Sequence, residues 1–81
     1  MELNISSNDG WSFAIAISHE GKTLSGVVEL LDPIEGEPER NRSWNLFVDN
    51  EPYAELGGYR MEWPEALKRG LKLLNESVRE Q

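Results

Sequence analysis

With 81 residues, no cysteine and a net charge of −7, this chain has room for one domain around one core, and it has no disulfide, no thiolate metal site and no cysteine nucleophile. The charge is unevenly placed: residues 1–63 hold 12 acidic and 4 basic side chains, whereas residues 64–81 hold 3 and 4. A locally acidic body repels nucleic acid and attracts basic protein surfaces.

Residues 2–6 alternate polar and apolar, and Ser7-Asn8-Asp9-Gly10 supplies turn residues, so a short strand and a turn are expected. Residues 11–18 form the clearest strand pattern, with Trp11, Phe13, Ile15 and Ile17 on one parity and small side chains on the other. His19-Glu20-Gly21-Lys22 reads as a hairpin turn, and the β-branched, apolar stretch 23–31 returns from it. Residues 32–42, with two prolines, a glycine and little to bury, form an acidic loop. A strand over 43–49 follows, then a turn at Asp49-Asn50-Glu51-Pro52, then a strand over 53–57 that ends at Gly57-Gly58.

The last segment, about 64–79, is a predicted helix. Pro64 suits its first turn and Glu65 suits the positive end of its dipole. Trp63, Leu67, Leu71, Leu74 and Val78 share one face, with Gly70 beside them as a point of close approach to a sheet. Lys68, Arg69, Lys72 and Arg79 take the solvated faces. The expected fold is therefore α+β: an antiparallel meander of four to five strands with one C-terminal amphipathic helix on one face. That helix covers the row of Trp11, Phe13, Ile15 and Ile17, with Trp44, Leu46 and Val48. Ala14, Ala16, Val27, Phe47 and Tyr53 are left on an uncovered side.

Each candidate site has a plainer reading beside the functional one. Asp32, Glu35, Glu37 and Glu39 within the loop either solvate it or meet Lys and Arg on a partner; their spacing lacks the order of an EF-hand. His19 sits at a hairpin turn beside Glu20; acid–base chemistry would need it in a pocket with a nucleophile or an orienting carboxylate, whereas a turn tip is expected to face solvent. Gly57-Gly58 lacks the Lys-Ser/Thr and the strand–loop–helix setting of a phosphate cradle, and reads as a turn or bulge. No basic-aromatic strand motif for nucleic acid is present. No basic leader with an apolar run and no stretch near the ~20 apolar residues of a membrane span occurs, so the expected location is cytoplasmic.

The hairpin Phe13-Ala14-Ile15-Ala16-Ile17-Ser18-His19-Glu20-Gly21-Lys22 running into Val27-Val28-Glu29, with the later amphipathic stretch Gly70-Leu71-Lys72-Leu73-Leu74-Asn75-Glu76, resembles in layout a small phage-encoded anti-CRISPR protein that inhibits a type I surveillance complex. That resemblance implies a stoichiometric, non-enzymatic inhibitor whose acidic surface occupies a basic groove built for nucleic acid. The chain is also similar to antitoxin-like sheet-and-helix domains, which implies a dimer closed over the open sheet face. From the residues themselves the expected partner-binding set is Asp32, Glu35, Glu37, Glu39, Phe47, Asp49 and Glu51, directed at a basic protein surface, with no cofactor, no metal and no direct nucleic-acid contact.

Overall fold

The computed structural model describes residues 2–7, 10–31, 36, 42–58 and 60–80. Five strands, β1 (Glu2–Ser7), β2 (Ser12–His19), β3 (Lys22–Leu30), β4 (Ser43–Val48) and β5 (Glu51–Gly58), precede one helix, α1 (Trp63–Glu80). The strands form one antiparallel sheet in the order β1-β2-β3-β4-β5, so each strand pairs with its neighbour in sequence. The fold is the α+β arrangement expected, with five strands.

Two tight turns set the register. Glu20 and Gly21 have φ of 52° and 80°, and Asp49 and Asn50 have φ of 55° and 65°. Positive φ at both central residues is the hairpin geometry whose twist matches the flanking strands. The second turn is shorter than the sequence implied, because β5 begins at Glu51 and takes in Pro52. Pro52 is tolerated there because β5 is an edge strand.

The core lies on one side of the sheet. Phe13, Ile15 and Ile17 of β2, Leu24, Val28 and Leu30 of β3, Trp44 and Leu46 of β4 and Leu56 of β5 are buried under Ala66, Leu74 and Val78 of α1. The helix lies mainly over β2 and β3. Its buried line is Ala66, Gly70, Leu74 and Val78, each one turn apart, while Leu67, Leu71 and Leu73 flank that line half-buried. The stripe is thus rotated from the one read off the sequence, and small residues, Ala66 and Gly70, occupy its first two positions. A Cβ at Gly70 would overlap Val28 Cγ2 and sit 3.5 Å from Leu56 Cδ1, so the backbone of α1 rests directly on β3.

Trp63 and Trp11 depart from their expected burial. Trp63, the first helical residue, stacks on Phe13 with centroids 5.3 Å apart and remains 50% exposed. Trp11 shares the parity of Phe13 but precedes the first residue of β2, at the end of the sheet where the helix that covers its row starts. It is 53% exposed, and the Arg42 guanidinium sits 5.1 Å from its ring centroid. Trp44 is buried as expected, and its Nε1 donates to the Met61 carbonyl at 2.9 Å, which satisfies the one polar atom of that side chain.

Arg69 is not part of a purely solvated face. It bonds Glu65 Oε1 at 3.3 Å and donates through a terminal nitrogen to the Leu56 carbonyl at 2.9 Å. The ladder between β4 and β5 shifts register between Trp44 and Asn45, beside Leu56. A bulge disrupts ladder hydrogen bonds, and a cation from the helix supplies the Leu56 carbonyl with a donor.

Candidate functional site

Cross-strand partners in an antiparallel ladder project to the same side, so the register assigns each paired strand residue to a face, while Tyr53 and Leu56 fall at the register shifts of β5 and have no cross-strand partner. One row of the uncovered side runs Ser6, Ala14, Val27, Phe47 and Pro52 across all five strands. On one flank of it lie Asn4, Ala16 and Ser25, and beyond them Glu2, Ser18 and Thr23, where the two hydroxyls hydrogen-bond at 2.8 Å. On the other flank lie Ser12, Glu29, Asn45 and Glu55. No described helix or strand covers this side.

The floor is flat because its middle strands carry alanine, serine and valine. Phe47, half-buried against Val27, is the one large apolar side chain at the centre. A shallow groove of about 570 Å³ follows this face, walled at one end by Phe47, Asp49 and Asn50 and floored by Ala14, Ala16 and Val27. Asp49 is exposed in the turn after β4. Among the described strand residues in register on this face, the charged ones are Glu2, Glu29 and Glu55, all acidic, and Asp49 adds a carboxylate at the groove wall. Lys22, Lys68, Arg69, Lys72 and Arg79 belong to the helix side or to the helix itself.

Of the residues expected to bind a partner, Phe47 and Asp49 come together on this groove. Glu51 does not join them: it pairs with Val48, which packs on the core, so it belongs to the opposite side of the sheet margin. Asp32, Glu35, Glu37 and Glu39 lie outside the described residues. Glu29 and Glu55 were not singled out from the sequence, because a glutamate inside a strand acquires its neighbours only through the pairing of distant segments.

A second groove, about 480 Å³, opens at the end of the sheet where the helix starts. It is lined by Trp11, Trp63, Met61, Glu62, Leu30 and the edge of Trp44. The sequence placed both exposed tryptophans in the core. Only the offset of Trp63 to the very start of the helical pattern hinted otherwise. His19 is less open than a turn tip: its side chain is 26% exposed and its Nε2 lies 3.8 Å from Glu20 Oε1. Gly57 and Gly58 close β5 beside the register shift, and the Met61 amide donates to the Gly58 carbonyl, which makes them part of a bulge and turn. Among the described residues no three His, Cys, Asp or Glu side chains gather as metal ligands, and no helix is long and apolar enough to cross a membrane. No family model, no curated protein and no solved structure matches this chain.

Proposed function

We propose that this protein is a non-enzymatic binding module that uses its uncovered sheet face to cover a basic surface of a partner protein. The observation that carries the reading is the sign of that face, which holds Glu2, Glu29, Glu55 and Asp49 without a lysine or arginine in register. Carboxylates spread over a flat face steer a cationic partner into orientation, and they raise the association rate more than the affinity. Phe47 and Val27 offer dry contact area at the centre, which sets how long the complex lasts. The mode of action is stoichiometric occlusion in the cytoplasm. A groove built to hold nucleic acid, as in a bacterial defence complex, presents the basic surface that such a face would fill.

The test separates the face from the net charge. The partner is first captured from a bacterial lysate by the wild-type protein and identified. Association rates are then measured for Glu29→Lys/Glu55→Lys and for Glu76→Lys/Glu80→Lys, two variants with the same net charge and opposite locations. Slowing of about tenfold or more, with a flatter salt dependence, is expected for the sheet-face variant alone. Equal slowing by both variants would reduce the effect to overall charge and remove the docking role of the sheet face. Loss of nucleic-acid binding by the captured partner is the expected functional readout.

A further inference from the structure

The two edges of the sheet are built differently. β5 contains Pro52, two register shifts and the exposed Glu51 and Glu55, all of which hinder a further strand from pairing. β1 has none of these except a single terminal charge, Glu2, and it pairs with β2 in unbroken register from Glu2 to Ser7. All six of its residues are exposed. Leu3 and Ile5 are 51% and 45% exposed even though their cross-strand partners Ile17 and Ile15 are buried beneath the helix. The helix lies over β2 and β3, so these two side chains stand at the margin of the core without a cover.

The phase of the ladder shows what the free edge offers. The Leu30 amide donates to the Trp11 carbonyl at 2.9 Å, which assigns the odd residues of β2 to bonds with β3. Successive residues of a strand bond to opposite sides, so the even residues of β2 turn to β1 and meet Glu2, Asn4 and Ser6. The N–H and C=O groups of Leu3, Ile5 and Ser7 therefore point outward.

We propose that β1 pairs antiparallel with β1 of a second copy about a two-fold axis at Asn4. The stretch Glu2-Leu3-Asn4-Ile5-Ser6 reads polar, apolar, polar, apolar, polar from either end, the symmetry that an isologous antiparallel pair requires. In this register Leu3 faces the partner's Ile5, Ile5 faces the partner's Leu3, and the outward backbone groups meet in hydrogen-bonded pairs. Glu2 lies opposite the partner's Ser6 rather than opposite a carboxylate, so no like charges meet across the seam. A one-residue slip would turn the apolar pair to the wrong side of the sheet. The four apolar side chains cover one another between the two helices, and the two five-stranded sheets become continuous. Both acidic faces then lie on the same side. The dimer stands on the edge geometry alone and does not require the proposed partner.

Sedimentation equilibrium of the full chain across the micromolar range tests it. Wild type is expected at twice the 9.2 kDa chain mass, and Ile5→Lys at half the wild-type value with unchanged helical circular dichroism. Because the chain has no cysteine, Asn4→Cys gives an independent reading that does not depend on tolerance of Ile5→Lys. It should oxidise to a disulfide-linked dimer, whereas Glu55→Cys on the opposite edge should not. A wild-type monomer throughout, a dimer that survives Ile5→Lys, or equal cross-linking of both cysteine variants would overturn the proposal.

Discussion

Gly70→Ala offers a direct measure of how closely the helix rests on the sheet. In an exposed helix the change would stabilise by about 1 kcal/mol, since alanine is the better helix former. Here the new methyl group would overlap Val28 Cγ2, and Val28 is 0% exposed and cannot swing into solvent. Forcing a methyl into a packed core costs about 1–3 kcal/mol, and the immobile neighbour places this site near the upper end. The expected net loss is about 2 kcal/mol, which for a domain of this size lowers Tm by roughly 8–16 °C. Urea and thermal unfolding followed by tryptophan fluorescence would measure it. Val28→Ala removes the obstructing methyl, so the double variant should be more stable than the sum of the single losses by about 1–2 kcal/mol. A Gly70→Ala protein more stable than wild type would refute the close approach of α1 to β3.

Three other outcomes follow from the same packing. Leu74→Ala, at a fully buried position facing β3, should cost about 2–5 kcal/mol in denaturant unfolding, a large part of the stability of so small a domain. Trp44→Phe keeps most of the ring packing but strands the Met61 carbonyl, so a loss of about 1–2 kcal/mol is expected in the same assay. Asn50 holds φ of 65° in the turn between β4 and β5; Asn50→Gly should be neutral or stabilise by a few tenths of a kcal/mol, whereas Asn50→Val should cost about 1–2 kcal/mol.

Much of the fold could be read along the chain because its signals are local. The alternation of Phe13, Ile15 and Ile17, the Glu20-Gly21 turn and the helical spacing of Leu74 and Val78 each depend on residues within a few positions of one another. The same locality explains the errors. Trp11 continues the alternation of its strand, and nothing near it in sequence reveals that the covering helix begins too late to reach it. Arg69 lies among other cations, and its bond to the Leu56 carbonyl exists because a bulge in β5 falls beneath the helix.

For the candidate site, the chain by itself determined an excess of carboxylates, a single helix and therefore a sheet with one side left over. Which carboxylates share that side was decided by strand register. Glu29 and Glu55 are far apart in sequence and meet the same row through β4, while Glu51, two residues from Asp49, turns to the other side. The physical reason is that hydrophobic periodicity sets which way a side chain points from its own strand, whereas its neighbours come from hydrogen-bond pairing between segments that only the folded sheet brings together.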